Sequence, residues 1–338
     1  MELKVSIAII TYNQEQYVQE MLDNIVSQVT DFKFEAIVSD DCSTDKTPEI
    51  IKKYANKYPD IIKPIFREKN IGVIRNYLDA LNLCNAEFVA ICEGDDYWCN
   101  KNKLQKQVDF MDANPDYALC YHPAKMIYQD KECDPVIIGK AKYKNPQPYY
   151  NLIRANNISA NSVMYRGKYL REELTKYPND IYPPDWFTHI SVAKHGKIGY
   201  LPDIMYVYRW HSQGISHTTT DNPVEEIHLK YGIKEVNFSY AVWNKIKEQF
   251  PQYYMDVFVP TIGNVYFTYL KNSKFDELEI LQNKYSEYFK DIELNTRIND
   301  INKLRKKQKK YKKLFNIFLF ISIILFCISL ILLLVLIL

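Results

Sequence analysis

The first hundred residues alternate between short apolar runs and longer stretches with helical periodicity. The apolar runs are rich in Val, Ile and Phe, which is typical of buried strands. They cover residues 5–10, 34–39, 61–66 and 88–92. Helices are predicted between them, at residues 15–28 and 73–83 among others. Because strands separated by such helices usually form right-handed β-α-β units, the pattern predicts an α/β fold with a parallel sheet.

The pattern becomes more mixed after residue 115. Strands are predicted at 118–127, 158–165 and 205–210, and a helix at 185–194. From residue 222 to 295 the spacing of apolar positions is helical and aromatic residues are frequent. We therefore divide the chain into four segments. They are an α/β domain (1–220), a helical extension (221–302), a basic segment (303–313) and an apolar tail (314–338).

The apolar tail contains 25 residues without a charge, and 21 of them are Leu, Ile, Phe or Val. As a helix it would be about 37 Å long, enough to cross a hydrocarbon core of about 30 Å. Eight Lys or Arg residues lie directly before it, in the basic segment. The tail is therefore predicted to be one C-terminal transmembrane helix in the inner membrane of a bacterium. By the positive-inside rule, the basic segment keeps the catalytic part on the cytoplasmic side.

Charge and cysteine content exclude several classes of protein. The formal net charge is +2. The basic segment contains eight Lys or Arg residues and no acidic residue, so the rest of the chain carries a net charge of −6. A mildly acidic catalytic part argues against a nucleic-acid partner. The seven cysteines are odd in number and form no C-x-x-C pair, which argues against a disulfide framework or a zinc site.

An acidic run follows the fourth predicted strand, with carboxylates at Glu93, Asp95 and Asp96. Carboxylates this close repel one another and lose solvation in a cleft. A divalent cation that carries a diphosphate relieves both costs, and hard oxygen ligands suit Mg²⁺ or Mn²⁺. Open parallel sheets also bind their ligands at the carboxyl ends of strands. The alternative is a solvated acidic turn.

Six short motifs, taken in order and with their spacing, resemble those of the family 2 glycosyltransferases. They are Ser6-x-x-x-x-Thr11-Tyr12-Asn13, Asp40-Asp41-x-Ser43-x-Asp45, Asn70-x-Gly72, Glu93-Gly94-Asp95-Asp96-x-Trp98, Pro184-Asp185-Trp186 and Tyr208-Arg209-x-His211-x-x-Gly214-x-Ser216. They span about two-thirds of the chain. The resemblance implies a GT-A fold, in which a sheet with flanking helices binds a nucleotide-diphospho-sugar.

The resemblance also implies a donor site. An aspartate at the end of the second strand would accept from the base N3–H, which favours a UDP-sugar, whereas Ser43 and Asp45 are interpreted as turn and capping residues. Arg75 either closes over the nucleoside or is a surface helix residue. The implied nucleotide-sugar-binding residues are Thr11, Tyr12, Asn13, Asp40, Asp41, Asn70, Arg75, Glu93, Asp96 and Arg209.

The metal and the catalytic base follow from the same resemblance. Asp95 is the expected ligand of Mn²⁺ or Mg²⁺, with Asp96 assisting or structuring the loop. Glu93 stands where the family usually has the first Asp of its metal motif. His211 would complete the metal shell or hydrogen-bond the diphosphate. Asp185 matches the catalytic base, and its alternative role is that of a simple helix N-cap.

The expected function is that of an inverting glycosyltransferase of cell-surface polysaccharide synthesis. It would move a hexosyl or N-acetylhexosaminyl group to a saccharide or polyprenyl-linked saccharide acceptor. Nucleotidyl transfer is disfavoured, because the first seventy residues contain no glycine for a phosphate-binding loop. The remaining alternative is a non-enzymatic nucleotide-sugar-binding or membrane scaffold protein with a degenerate site.

Overall fold

The computed structural model describes residues 2–130, 132–141, 145–214, 222–289 and 291. The chain divides into two compact units, with the boundary between Pro251 and Gln252. Each unit is described by itself.

The first unit is built on a seven-stranded sheet that confirms the predicted parallel arrangement. The chain supplies eleven described strands, of which seven form this sheet. The strands are β1 (Leu3–Thr11), β2 (Lys33–Asp40), β3 (Ile62–Phe66), β4 (Phe88–Glu93), β5 (Tyr97–Trp98), β6 (Tyr117–Tyr121), β7 (Ala124–Tyr128), β8 (Val136–Ile138), β9 (Met164–Arg166), β10 (Lys197–Tyr200) and β11 (Tyr206–Trp210). Their order in the main sheet is β10-β6-β9-β4-β1-β2-β3. Strands β3, β2, β1 and β4 run parallel, and β9 is antiparallel to β4 and β6.

Helices cover the sheet and bury their apolar stripes against it. In the first helix, for example, Val18, Met21, Leu22 and Ile25 are fully buried, a spacing that aligns them on one helical face. The helices of this unit are α1 (Val18–Val26), α2 (Thr47–Lys57), α3 (Val73–Leu83), α4 (Lys103–Ala113), α5 (Tyr149–Arg154), α6 (Gly167–Leu174), α7 (Pro184–Ala193) and α8 (Pro223–Ile246). Helix α8 packs on α7, where the rings of Trp186 and Phe238 lie 4.9 Å apart.

A smaller sheet, in the order β5-β11-β7-β8, brings distant segments to the end of β4. Strand β11 pairs with β5, so that Tyr206 lies opposite Trp98. Trp98 is buried, as expected of a residue that packs in the core. This pairing carries the residues that follow β11 to the acidic run that precedes β5.

Two of the predicted strands differ in the structure. The segment 118–127 was predicted as one strand, but it forms β6 and β7 in two different sheets. Pro123 lies between them and has no N–H to continue a ladder. The segment 158–165 was also predicted as a strand, whereas residues Ala160–Ser162 form a 3₁₀ turn and only the end enters β9.

The described part of the second unit, from residue 252 to residue 291, is helical. It contains a π-helical turn (Tyr254–Phe258), α9 (Val259–Lys271), α10 (Phe275–Tyr285) and a 3₁₀ turn (Ser286–Tyr288). The predicted basic segment and transmembrane helix lie outside the described residues. In the described part of the chain, no helix combines the length and the apolar character needed to cross a membrane.

Candidate active site

The acidic run forms a tight turn against the end of β1. The Gly94 N–H donates to the Ile10 carbonyl oxygen at 3.1 Å. A Cβ at Gly94 would lie 2.6 Å from Thr11 Cγ2, closer than carbon atoms pack. Glycine is therefore needed for the turn to sit against β1 and to direct the three neighbouring carboxylates toward one point.

The three carboxylates of this turn have the electrostatics of a cation site. Oxygen atoms of Glu93, Asp95 and Asp96 all lie within 4.8 Å of one another. Burial, followed by the charges of Asp95 and Asp185, raises the pKa of Glu93 to about 8. Burial and the charges of Asp95 and Glu93 hold the pKa of Asp96 well above its usual range. Because a divalent cation relieves this repulsion, the donor set fits Mn²⁺ or Mg²⁺.

Asp96 holds the turn in place. The residue is fully buried, and its Oδ1 accepts from the Arg209 backbone N–H at 2.8 Å. Its Oδ2 accepts from the Asn161 side-chain amide. Asn161 Oδ1 in turn accepts from the Glu93 backbone N–H at 2.9 Å. Both oxygens of Asp96 are thus engaged by protein donors, which favours the loop-structuring role over direct ligation.

Asp95 and His211 form the pair best arranged to bind a metal. His211 Nε2 lies 3.3 Å from Asp95 Oδ2, and the imidazole packs on the ring of Tyr17 at 5.0 Å. His211 Nδ1 is buried and has no hydrogen-bond partner among the residues that the structure describes. Asp95 retains partial exposure toward the adjoining cavity. Asp95 therefore faces the cavity, and His211, which is buried and does not line it, lies beside the Asp95 carboxylate.

The Arg209 guanidinium binds the acidic turn and links it to α1. Its Nη1 donates to the Asp95 carbonyl oxygen at 2.6 Å, and its Nη2 pairs with the Glu20 carboxylate. The guanidinium carbon lies 4.4 Å from the ring centroid of Tyr97 and 5.2 Å from that of Tyr17. The sequence predicts that the Arg209 side chain binds the sugar nucleotide. In the structure, one of its N–H groups holds the acidic turn and another pairs with Glu20, so the side chain also has a structural role.

A cavity of about 330 Å³ opens in front of the turn, and we call it the donor cavity. Of the predicted nucleotide-sugar-binding residues, it is lined by Thr11, Tyr12, Asp41, Asn70, Glu93 and Arg209, and by Asp95 of the predicted metal pair. The Asp41 carboxylate accepts from the backbone N–H groups of Ile71 and Gly72, at 2.8 and 2.9 Å. Asp41 thereby fixes the loop that forms the edge of this cavity.

Four predicted donor residues lie outside the lining of this cavity: Asp96, which holds the acidic turn, and Asp40, Asn13 and Arg75. Asp40 accepts from Thr11 Oγ1 at 2.9 Å and from Ser43 Oγ at 2.6 Å, so it organises the turn after β2. Asn13 Oδ1 accepts from the Thr44 backbone N–H at 2.8 Å. Arg75 is exposed on α3 and pairs with Asp79 at 3.0 Å, which matches the surface-residue alternative.

A second cavity of about 330 Å³ adjoins the first, and we call it the acceptor-side cavity. The two share Ile10, Val73 and Glu93 in their walls. Asp185 lines the second cavity, where its Oδ2 accepts from the Asn156 side-chain amide at 3.3 Å. Burial raises the pKa of Asp185 above its ordinary value. A carboxylate at the start of α7 thus faces a space that continues into the donor cavity.

Sequence motifs did not reveal four residues that organise the site. Tyr17 directly precedes α1 and Glu20 lies on it, Asn156 follows α5, and Asn161 lies in a segment predicted as a strand. Their roles come from contacts between segments far apart in the chain, such as the 189 residues between Glu20 and Arg209. Local spacing contains no signal for such contacts.

The sheet order, the carboxylate turn after β4 and the paired cavities are those of a GT-A glycosyltransferase fold. Residues 6–173 match the family model for Glycosyl transferase family 2, and the chain belongs to this family.

Several relatives in sequence support the same family. An uncharacterized protein of Mycobacterium tuberculosis (strain ATCC 25618 / H37Rv) is 41% identical over 214 residues, which cover 63% of this chain and 61% of the relative. Poly(ribitol-phosphate) beta-N-acetylglucosaminyltransferase TarS of Staphylococcus aureus is 29% identical over 63% of this chain and 36% of its own length. The chain thus matches about three-fifths or less of these relatives.

Solved structures agree on the fold. A fragment of S. aureus TarS (residues 1–349) in complex with UDP-GlcNAc superposes with a TM-score of 0.54 at 20% identity, over 84% of this chain and 92% of that one. Mannosyltransferase PcManGT from Pyrobaculum calidifontis, in complex with GDP-Man and Mn²⁺, gives a TM-score of 0.52 at 18% identity, over 88% and 85%.

Proposed function

We propose that the protein is an inverting, metal-dependent glycosyltransferase that moves a sugar from a UDP-sugar to a hydroxyl of a saccharide acceptor. The observation that carries this proposal is that the two cavities share Glu93 in their walls, with Asp95 lining one cavity and Asp185 lining the other. His211 lies beside Asp95. A donor bound by its diphosphate in the first cavity would direct its anomeric carbon toward the second.

Each carboxylate has a distinct task in this proposal. Asp185 accepts the proton of the acceptor hydroxyl as that oxygen attacks the anomeric carbon, and the bond from this carbon to the diphosphate oxygen breaks. A single displacement of this kind inverts the anomeric configuration. Asp95 and His211 hold the cation, which when bound neutralises charge on the leaving nucleoside diphosphate. Asp96, Asn161 and Arg209 keep the metal-binding turn in its geometry.

The choice of UDP is supported by a relative. TarS is a beta-N-acetylglucosaminyltransferase, and a fragment of it binds UDP-GlcNAc. PcManGT binds GDP-Man, so GDP-sugars are the natural competitor to test. We propose a hexosyl or N-acetylhexosaminyl group as the transferred sugar.

We also propose that the enzyme acts at the inner membrane in cell-surface polysaccharide synthesis. The support is the sequence of residues 303–338, in which a block of eight basic residues precedes 25 uncharged ones. A polyprenyl-linked saccharide is an acceptor that such an anchor would bring within reach. TarS is named for transfer to poly(ribitol-phosphate), another cell-surface polymer.

Turnover measurements on two variants test the proposal. The protein is incubated with UDP-sugars or GDP-sugars, Mn²⁺ and an extract of polyprenyl-linked saccharides, and release of the nucleoside diphosphate is recorded. Asp185→Asn should lower kcat by about 10²- to 10⁴-fold while donor binding is retained. Asp95→Ala should abolish metal-dependent donor binding. Transfer at the wild-type rate by the Asp185→Asn protein would overturn the assignment of the base.

A further inference from the structure

A buried histidine lies directly behind the Asp185 carboxylate. His189 is one turn after Asp185 on α7 and is completely buried. Its Nε2 lies 3.8 Å from Asp185 Oδ2. On the other side of the ring, Nδ1 lies 2.6 Å from the hydroxyl oxygen of Tyr165, which is also completely buried on β9. Tyr165, His189 and Asp185 therefore form a line from the core to the acceptor-side cavity.

The surroundings of the imidazole define where its proton resides. The Asp185 carboxylate, an acceptor, lies beside Nε2, and the backbone carbonyl of Ile158 is a further acceptor near the ring. A hydrogen on Nε2 is favoured for that reason, and Nδ1 is then free to accept from the Tyr165 hydroxyl. Burial lowers the pKa of His189 to about 3, so the ring is neutral at physiological pH. The Nε2–H makes no hydrogen bond of standard geometry within the described part of the chain.

We propose that His189, with its tautomer fixed by Tyr165, is a positioning residue that directs its Nε2–H to Asp185 and holds that carboxylate in the reactive orientation. This inference rests on the proposed function, in which Asp185 is the base. At 3.8 Å the two atoms are farther apart than in a hydrogen bond, so the proposal requires that Asp185 and His189 approach each other when substrate binds. Hydrogen bonds to a catalytic group are often long in a free enzyme and tighten with substrate.

The role differs from that of a proton relay. A ring with a pKa of about 3 does not take up the proton that Asp185 receives. The neutral Nε2–H instead stabilises the carboxylate form, which lowers the pKa of Asp185 relative to a site without this donor. Asn156 engages Asp185 Oδ2 at 3.3 Å, so the two donors together fix the carboxylate.

Other titratable groups near Asp185 are common to all variants in the test below. They come from the strand and helices packed around α7 and from the loop before it. They are Glu93, Tyr77, Tyr165, Tyr177 and Tyr182. Burial raises the pKa of each tyrosine, so all four are neutral over the pH range of the assay. Of the groups named here, Glu93 is the other one besides Asp185 whose titration can affect the pH profile. Shifts are therefore compared with wild type and not taken as absolute values.

The first test compares pH profiles of kcat for His189→Leu and His189→Gln, with Ser191→Ala as a control. Leu removes the donor, whereas the Gln amide can replace the Nε2–H. Ser191 is buried on the same helix and its Oγ lies outside the site. We expect His189→Leu to lower kcat about 10- to 100-fold with the donor KM unchanged, and to move the acid limb up by about one pH unit. His189→Gln should recover most of kcat. Unchanged kcat and acid limb in a folded His189→Leu protein would overturn the proposal.

The second test needs no activity. The 338-residue chain is labelled with ¹⁵N-histidine, and the signal of His189 is identified by its loss in the His189→Gln spectrum. We expect a neutral ring protonated on Nε2 from pH 8 down to pH 5. A ring protonated on Nδ1 has no hydrogen on Nε2 to donate to Asp185, and a charged ring is not the neutral donor proposed. Either result would overturn the proposal. If no sugar is transferred at all, the proposed function fails, and this spectrum still decides the arrangement of His189.

Discussion

Replacement of Arg209 by Met tests how the metal-binding turn is held. Met keeps a long apolar side chain between the rings of Tyr17 and Tyr97 but removes every guanidinium donor. The hydrogen bond that is lost, from Nη1 to the Asp95 carbonyl oxygen at 2.6 Å, has a charged donor. Such bonds contribute about 1.5 to 3 kcal/mol. If the metal-binding conformation of the turn is destabilised by that amount, Mn²⁺ binding weakens about 10- to 150-fold.

Glu20→Ala is the graded control for this change. Glu20 pairs with Arg209 but is half exposed, and exposed ion pairs contribute about 0.2 to 1 kcal/mol. Its loss should therefore weaken Mn²⁺ binding by at most about 5-fold. Free Mn²⁺ is measured by electron paramagnetic resonance during a titration, with and without UDP, and circular dichroism verifies folding. Wild-type Mn²⁺ affinity in the Arg209→Met protein, with weakened UDP binding alone, would mean that Arg209 contacts the diphosphate instead.

Three further predictions concern residues away from the reacting atoms. Burial raises the pKa of Glu173, but ion pairs with Lys194, Lys245 and His195 outweigh this effect and lower the pKa to about 2. The ionised carboxylate therefore contributes up to about 3 kcal/mol to the free energy of unfolding. This contribution is present above pH 4.5 and is lost as the pH falls toward 2. Glu173→Gln should therefore lower the urea midpoint at pH 7, and an unchanged midpoint would contradict this. Burial lowers the pKa of Lys103 to about 7. The wild type should therefore gain about 3 to 5 kcal/mol of stability relative to Lys103→Met as the pH rises from 7 to 10.5. A difference in urea unfolding that does not depend on pH would refute the burial argument. Arg75→Ala should leave UDP affinity within about 2-fold of wild type in calorimetry, because the side chain is exposed and paired with Asp79; a larger loss would return Arg75 to the donor site.

The sequence predicted the central sheet well because three of its strands, β1, β2 and β4, are largely buried, while β3 at the sheet edge is buried in part. The predicted runs 5–10, 34–39, 61–66 and 88–92 correspond to β1, β2, β3 and β4 within one or two residues. A strand covered by helices on both faces is apolar throughout and is bounded by turn residues, so its position is evident from composition alone. The acidic turn after β4 was predicted for the same reason, since it follows the last apolar residues directly.

Roles of neighbouring polar residues were harder to predict. Asp40 and Asp41 are adjacent and chemically identical, yet Asp40 organises the turn after β2 while Asp41 lines the donor cavity. Which of two adjacent side chains faces a cavity depends on the backbone path beyond the strand. The sequence contains that information only through long-range packing.

Asn161 and His189 illustrate two different limits. Asn161 lies in a segment predicted as a strand, and its bonds to Glu93 and Asp96 join residues more than sixty positions apart. No local pattern indicates them. His189, in contrast, lies four positions after Asp185 on a predicted helix, a spacing that puts both on one face. That signal was available, but it identifies no function until Tyr165 and the cavity are located.

The most direct test of the central claim is a thermal-shift titration with UDP, with and without Mn²⁺, on wild type, Asp95→Ala and Asp185→Asn. The account predicts that UDP raises the Tm of wild type and of Asp185→Asn only when Mn²⁺ is present, and that Asp95→Ala shows no such shift. GDP, dTDP and CMP are titrated in parallel as comparison nucleotides. A wild-type protein that is folded yet shows no shift with any nucleotide, or an Asp95→Ala protein that shifts as wild type does, would contradict the account.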